Sequence, residues 1–350
     1  MTIEQMAAFL RRHEQEKAMT NNVWRYTSKV ASVETCPDVF GLDFDAIMSA
    51  PDDEKANVFM AQENRAELLR SILAGRPVDD AAMQAAFGFT ASALSELRRK
   101  QDPIKKPIPR NLCVLCFDDA YKTQRTAAMP LIQELGFNAT FFIAQLQKTP
   151  MGVTFEDKNV FMTWEEIREL QDAGFELANH SLHHVHGSQN MGRDFNLAQI
   201  RGMEEEFARH GLEKPVTYAY PSGISNPEVV SCARECGYKW ARGNEEKGSG
   251  EGIRGMTYYD PLVDSPLAIC GHGDPDFYSE ELLRKRVADT PEGCIFSLTY
   301  HDVGPEHWPG PIPFTRHMEI LREMDMKVIS IRQLEEYIDP ELAYQYTKDC

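Results

Sequence analysis

Two adjacent carboxylates, Asp118 and Asp119, end an apolar stretch of the sequence. The stretch runs from Asn111 to Tyr121 and reads NLCVLCFDDAY, which is long enough for one buried strand. Charged side chains at the carboxyl end of a buried strand lie where α/β folds place their chemistry. The sequence therefore predicts an active site at the end of this strand.

A second candidate group is a pair of histidines, His180 and His184, which follow a later predicted strand. On a helical turn, residues four apart lie on the same side, so both imidazoles would reach one ion. A carboxylate from another strand end would complete a three-ligand catalytic site. His183 is expected to point away from the pair, and His186 is either a cleft residue or a bystander. The spacing alone is weak evidence, but beside the Asp pair it predicts a metal site.

Two further strand ends carry polar residues. The sequence from Tyr218 to Gly223 reads YAYPSG, a strand running into a turn that can aim the backbone N–H of Ser222 at a developing oxyanion. The sequence SLTYHD ends another strand at His301, which could protonate a leaving group. Neither motif predicts a catalytic site by itself, and each supports one only together with the other groups.

The elements that must position these groups alternate along the chain from residue 111 onward. Thr163 and Glu166 form a capping box that opens a helix closed by Gly174. Further helices are predicted over 197–210 and from Pro227 to Gly237. Strands are predicted near 113–117, 139–143, 175–178, 217–220, 238–242, 255–258, 295–300 and 327–331. Repeated βα units predict an α/β fold with a mostly parallel sheet, closed or nearly closed into a barrel.

Residues 1–105 are predicted to form a helical N-terminal extension, and residues 106–350 the catalytic barrel. The segments 3–18, 52–74 and 79–100 have helical periodicity and no ligand spacing or phosphate loop. The extension is expected to cover the barrel or to mediate self-association, which makes a homo-oligomer a candidate assembly. The loop 244–252, rich in Glu and Gly, is expected to be solvated.

Composition bounds the class of protein. The 350 residues are 42% hydrophobic, enough for one large domain with an added segment. The formal net charge of -17 disfavours nucleic acid and anionic membranes as partners. Charges interrupt the N-terminal residues every few positions, so no signal peptide or transmembrane segment is predicted and a cytoplasmic location is expected. The eight cysteines are expected to be free thiols, with Cys113 and Cys116 on opposite faces of a strand.

Taken in order, the four groups resemble the motifs of the polysaccharide deacetylases, carbohydrate esterase family 4. The motifs are Phe117-Asp118-Asp119, His180-Ser181-x-x-His184, Tyr220-Pro221-Ser222-Gly223 and Leu298-x-x-His301, within about 111–334. The resemblance implies a deformed (β/α) barrel of the polysaccharide deacetylase type. It also implies one divalent metal ion held by Asp119, His180 and His184, with zinc favoured and cobalt, nickel or another first-row ion as alternatives.

The resemblance further implies roles for the remaining residues. Asp118 would be the general base, His301 the general acid and Ser222 the oxyanion donor, with Tyr220 and Pro221 shaping the substrate site. Many relatives carry an Arg and a Tyr at the positions of Ala219 and Ser222. Because that Arg normally steadies the base, Asp118 is expected either to have another partner here or to work with less orientation. Trp308, in a long loop after the last motif, is expected either to stack on a sugar ring or to pack the loop onto the barrel.

The expected activity is metal-dependent hydrolysis of a linear amide, which removes the acetyl group from an N-acetylated sugar such as a soluble oligosaccharide or conjugate. An O-acetyl ester is also feasible, since the same oxyanion develops. One alternative is hydrolysis of a cyclic amide, a ureide or another small amide on the same scaffold. The other is a non-catalytic homologue that keeps the site for metal or sugar binding, which the altered turn at Ala219 and Ser222 favours.

Overall fold

The computed structural model describes residues 68, 71, 79–87, 103–147, 152–243, 258–262, 264–271, 275–306 and 308–347. Most of the predicted N-terminal extension lies outside these residues, as does the predicted loop 244–252. Within the extension the structure describes Leu68 and Ser71 as helical, inside the predicted segment 52–74, and a helix α1, Asp80–Phe87, inside the predicted segment 79–100. The extension as a whole stays a prediction.

The strands of the described residues belong to one sheet. They are β1 Leu112–Asp118, β2 Thr140–Ile143, β3 Glu176–Asn179, β4 Thr217–Ala219, β5 Trp240–Gly243, β6 Tyr258–Tyr259, β7 Ile269–Cys270, β8 Ile295–Tyr300 and β9 Lys327–Ile329. Their order is β6-β8-β1-β2-β3-β4-β5-β7, with β9 also paired to β1. Every pairing is parallel except that of β6 with β8. The predicted α/β fold with a mostly parallel sheet is confirmed.

The sheet curls into a deformed barrel. Its end strands, β6 and β7, approach each other within 8 Å between Cα atoms. The described residues form no hydrogen-bonded ladder between them. The sequence analysis did not predict β7, because a two-residue strand is too short to have a recognisable period. Of the predicted strand 255–258, only Tyr258 is described, and it begins β6.

Helices follow most of the strands. They are α2 Met129–Glu134, α3 Trp164–Asp172, α4 Arg193–Arg209, α5 Pro227–Glu235, α6 Glu280–Ala288, α7 Phe314–Glu323 and α8 Pro340–Thr347. The capping box of Thr163 and Glu166 opens α3 as predicted. Helix α4 begins four residues before the predicted start at 197. None of the described helices combines the length and the apolar character needed to cross a bilayer.

Strand β1 is buried on both faces. Cys113, Leu115 and Phe117 belong to a core cluster beneath the helices, whereas Val114 and Cys116 belong to the cluster inside the barrel. As predicted, the five cysteines whose side chains are described are buried thiols outside any disulfide: Cys113, Cys116, Cys232, Cys236 and Cys294. A strand wrapped in this way is held rigidly, so the residues at its carboxyl end are placed precisely.

Glu176 is a buried carboxylate at the start of β3. One of its oxygens accepts hydrogen bonds from the hydroxyl of Thr140 at 2.7 Å and from the backbone N–H of Arg332 at 2.8 Å, and the other accepts from the hydroxyl of Thr217. Burial raises the pKa of Glu176, although the hydrogen bonds from Thr217, Arg332 and Thr140 oppose that effect. The carboxylate links β2, β3 and β4 to the turn after β9.

Glu176 is therefore expected to make the stability of the fold depend on pH. Because its pKa is higher in the folded than in the unfolded chain, the folded state binds the proton more tightly. Its contribution to the free energy of unfolding falls as pH rises from the ordinary Glu pKa through the raised one. In Glu176→Gln, which mimics the protonated form, that fall should vanish. Urea unfolding of the wild type and Glu176→Gln across this pH range measures the free energy of unfolding. Curves of that free energy against pH that run parallel would contradict the prediction.

Glu176→Ala should lower the free energy of unfolding by about 1–3 kcal/mol at any pH, because it leaves buried donors without an acceptor.

Candidate active site

The two carboxylates face one cleft because the backbone turns sharply where β1 ends. Asp118 is the last residue of the strand, and Asp119 and Ala120 have left-handed φ angles of 72° and 57°. The turn ends the alternation of side chains along the strand, so the adjacent carboxylates of Asp118 and Asp119 both approach the imidazole of His180. His180 Nε2 lies 3.5 Å from Asp118 Oδ2 and 3.7 Å from Asp119 Oδ1. Each left-handed non-glycine residue costs about 1–3 kcal/mol, and such strain is typical of functional sites.

The two histidines are not on a helical turn, so that prediction was wrong. His180 directly follows β3, and the chain then continues as a loop in which Ser181 and His184 have φ angles of 64° and 49°. The Asn179 side chain accepts from the N–H of Ser181, and the Ser181 hydroxyl accepts from the N–H of His184. Asn179 is itself anchored by donating to Ile200 O at 2.9 Å. These local hydrogen bonds compete with helix formation, and they bring the imidazoles together by another route.

Asp119, His180 and His184 form a group suited to a metal ion. One ligand atom from each lies within 4.8 Å of the others, and no other such group exists in the described part of the chain. His180 Nδ1 donates to Ala219 O at 3.0 Å, which leaves the lone pair on Nε2. Burial lowers the pKa of His180 to about 4, although Asp118 opposes it, so the imidazole is neutral as a ligand must be. Asp119 Oδ1 is buried without a hydrogen-bond partner in the described residues. The donor set fits a divalent cation.

Asp118 has a partner that the sequence analysis missed. Arg242, on β5, donates from Nη2 to Asp118 Oδ2 at 2.5 Å, and its side chain is 1% exposed. Burial alone would raise the pKa of Asp118, but the charge of Arg242 above all, with the imidazoles of His180 and His301, outweighs it and holds that pKa below its ordinary value. Asp118 Oδ1 has no hydrogen-bond partner among the described residues. The sequence does contain a signal for this partner. Arg242 lies at the carboxyl end of a predicted strand, where a buried Arg is rare unless it is paired with an acidic group.

His301 lies beside Asp118 because β8 pairs in parallel with β1. The residue follows directly after Tyr300, the last residue of β8. Its Nε2 lies 3.9 Å from Asp118 Oδ2, and its side chain is 47% exposed. The imidazole therefore borders both the buried carboxylate and the solvent, which suits a group that exchanges protons with a substrate.

The turn after β4 borders the site on its other side. Ser222 has a φ of 59°, and its hydroxyl shares a 2.5 Å hydrogen bond with His186 Nδ1. The turn's own hydrogen bonds run from Gly223 N–H and Ile224 N–H and do not use the N–H of Ser222. Tyr220 is buried and donates from its hydroxyl to Leu267 O at 2.8 Å, and Pro221 is buried as well. Both support the turn, and direct contact of either with a substrate stays a prediction.

Two other residues from the sequence analysis lie apart from the metal group. The His183 backbone N–H donates to Gln199 Oε1 at 3.0 Å, and its ring lies 3.4 Å from Gln145 O. Trp308 donates from Nε1 to Ile312 O at 2.6 Å, and its ring lies 6.0 Å from that of Tyr300 and 5.6 Å from that of His317. These contacts favour the packing role of Trp308 over the sugar-stacking role, which remains a prediction.

Residues 105–241 match the model of the polysaccharide deacetylase family. This match covers the first three of the four motifs and supports the family resemblance that they predicted. The Bacillus subtilis (strain 168) protein YxkH, named as a polysaccharide deacetylase, is 24% identical over 132 residues, which are 37% of this chain and 44% of that protein. The poly-β-1,6-N-acetyl-D-glucosamine N-deacetylase of Escherichia coli (strain K12) is 30% identical over 92 residues, 24% of this chain and 14% of that protein. The chain thus spans less than half the length of these relatives.

Solved structures that resemble this chain include members of carbohydrate esterase family 4. A family 4 carbohydrate esterase from Streptomyces lividans, in complex with acetate, is 17% identical with a TM-score of 0.41, over 62% of this chain and 91% of that one. A family 4 pseudoenzyme from Bacillus anthracis is 16% identical with a TM-score of 0.45, over 72% of this chain and 79% of that one. At these TM-scores neither likeness bears on the chemistry of the site.

Proposed function

We propose that the protein is a metal-dependent hydrolase that removes the acetyl group from an N-acetylated sugar. The observation that carries the proposal is the state of Asp118. Its Oδ2 is held by Arg242 and lies 3.5 Å from Nε2 of His180, which belongs to the candidate metal group, and its Oδ1 has no hydrogen-bond partner among the described residues. A charged, oriented carboxylate beside a metal site is what a general base for water requires. The sugar substrate is supported by the family match and by the name of the Escherichia coli relative.

In this proposal each residue of the candidate site has one role. When bound by Asp119, His180 and His184, a divalent ion would polarise the acyl carbonyl and lower the pKa of nearby water. Asp118 takes a proton from the attacking water, while Arg242 keeps the carboxylate in place. The N–H of Ser222 donates to the oxyanion as it develops. His301 then protonates the departing amine, so the products are acetate and the free amino sugar.

Two observations bear on the alternatives. The base, the acid candidate and the ligand set are all present, which disfavours a non-catalytic homologue. His301 is half exposed and His186 is exposed, so the described side of the cleft is open. A small cyclic amide or ureide would favour an enclosed pocket. The open cleft therefore favours a sugar substituent on a larger molecule.

Acetate release from a defined panel tests the proposal. The panel contains N-acetylglucosamine, its β-1,4- and β-1,6-linked oligomers, an O-acetylated xylo-oligosaccharide and a cyclic ureide, each with chelator-treated protein and with zinc, cobalt or nickel restored. We expect metal-dependent acetate release from the N-acetylated oligomers. Turnover of the ureide alone would favour the cyclic-amide alternative. Metal binding without any turnover would favour the non-catalytic homologue.

The neighbouring histidines give this experiment a matched pair of variants. His184→Ala should weaken metal affinity by more than about 100-fold, since even residues behind the ligands are worth about 10–100-fold. His183→Ala changes the residue beside it, which lies outside the metal group, and should leave the affinity unchanged. Calorimetric titration with zinc measures both. Equal affinities in the two variants would contradict the assigned ligand set.

A further inference from the structure

Gln124 contacts the backbone at the ends of two adjacent strands. Strands β1 and β8 pair in parallel up to Phe117 and Tyr300, so the next residues of the two strands, Asp118 and His301, lie side by side. Gln124 Nε2 donates one hydrogen bond to Asp118 O and another, of 3.0 Å, to His301 O. The residue is fully buried. A single amide group thus joins the backbones of the candidate base and the candidate acid.

The residue before it strengthens the same connection. The Thr123 hydroxyl donates to Asp302 Oδ1 at 2.7 Å and accepts from the N–H of Val303 at 3.1 Å. Asp302 Oδ1 also accepts from the N–H of Gly304 at 2.9 Å. A Cβ at Gly304 would lie 2.8 Å from Thr123 Cγ2, so the two turns approach as closely as glycine permits. The turn after β1 therefore holds the turn after β8.

The two catalytic candidates depend on this connection to different degrees. Asp118 is buried and is already oriented by the guanidinium of Arg242. The imidazole of His301 is 47% exposed and lies at 3.9 Å from Asp118 Oδ2, beyond hydrogen-bond distance. Its position therefore relies more on the anchoring of its backbone.

We propose that Gln124 is a positioning residue for the proposed deacetylation, one that sets the place of the acid His301 relative to the base Asp118. The inference rests on the proposed function. Loss of the Gln124 side-chain amide should slow the step that needs the acid, which is protonation of the departing amine. Gln124 Oε1 has no hydrogen-bond partner among the described residues, so Gln124→Met removes little except the two hydrogen bonds of Nε2.

The test compares two substrates that differ in leaving group. An N-acetylated oligosaccharide needs a proton on its amine, whereas 4-nitrophenyl acetate loses a stable anion without one. For Gln124→Met we expect kcat on the oligosaccharide to fall about 10–100-fold with KM unchanged. Turnover of the ester should stay near that of the wild type. In a His301→Ala background the Gln124 change should add nothing further, because the two residues act through one step.

Gln171→Met serves as the control, since Gln171 Oε1 accepts from the N–H of Glu213 outside the site and the change is of the same type. Equal losses on both substrates, or additive losses in the double variant, would overturn the proposal. If the wild type turns over neither substrate, the proposed function fails, and hydrogen exchange of residues 301–304 then decides on Gln124. Faster exchange in Gln124→Met would support the positioning role, and unchanged exchange would refute it.

Discussion

Replacing Asp118 with Asn is expected to lower kcat by about 10²–10⁴-fold, the range typical of a positioned general base. Asn has nearly the same shape and keeps an oxygen for Arg242, but it cannot take a proton from water. Since Asp118 lies outside the metal group, zinc content should be unchanged. KM should also change little, because the loss falls on the transition state.

The measurement is steady-state acetate release on the best substrate of the panel, with zinc content determined on the same samples. Asp172→Asn makes the same chemical change at an exposed position at the end of α3 and should be indistinguishable from the wild type. Loss of bound zinc in Asp118→Asn would mean that Asp118 serves as a ligand. Unchanged turnover would remove it from the mechanism.

Arg242→Met is expected to damage both stability and turnover. The change leaves Asp118 as a buried carboxylate without its guanidinium partner, and breaking a buried ion pair in this way costs about 3–5 kcal/mol. In the fraction that folds, the base loses its orientation, and kcat should fall by about 10–100-fold. Arg242→Lys should recover only part of the stability, because it restores the positive charge but lacks the planar guanidinium with its several N–H donors.

Urea unfolding and kcat on the folded fraction test this pair of effects. Arg234→Met is the matched control, since it removes the same side chain from a partly exposed pair with Glu341, where the cost should be about 0–1 kcal/mol. A stable, fully active Arg242→Met protein would show that Asp118 needs no guanidinium. If Arg242→Met is unstable but active per folded molecule, Arg242 serves the fold alone.

Arg242 also explains the departure from the family pattern. The family resemblance implies an Arg before the Pro-containing turn, whereas this chain has Ala219 there, on β4. Strand β5 is the neighbour of β4, and Ala219 is paired in register with Arg242. A guanidinium can therefore enter the site from the adjacent strand. Asp118, the proposed base, thus has a guanidinium partner of the kind that the family resemblance implies, from another position in the chain.

The local patterns of the sequence were sufficient for much of the molecule. The strands that deliver Asp118 and His301 are largely apolar runs that end in polar residues, so the strand and its candidate site residue are both predicted from the same few positions. The capping box of α3 involves only Thr163 and Glu166, three residues apart. Such features depend on neighbours in the chain, which a single sequence contains.

Tertiary structure alone decided what depends on residues far apart in the chain. Arg242 and Asp118 are separated by 124 residues, and Gln124 and His301 by 177, so no local pattern connects them. The loop of His180 and His184 is non-helical because Asn179 is anchored to Ile200 and redirects the backbone. The neutral state of His180 follows from burial, and the carbonyl of Ala219 selects its tautomer. Burial, ion pairing and hydrogen bonding across strands exist only once the sheet has formed, and they determine which predicted residues meet and in which charge state.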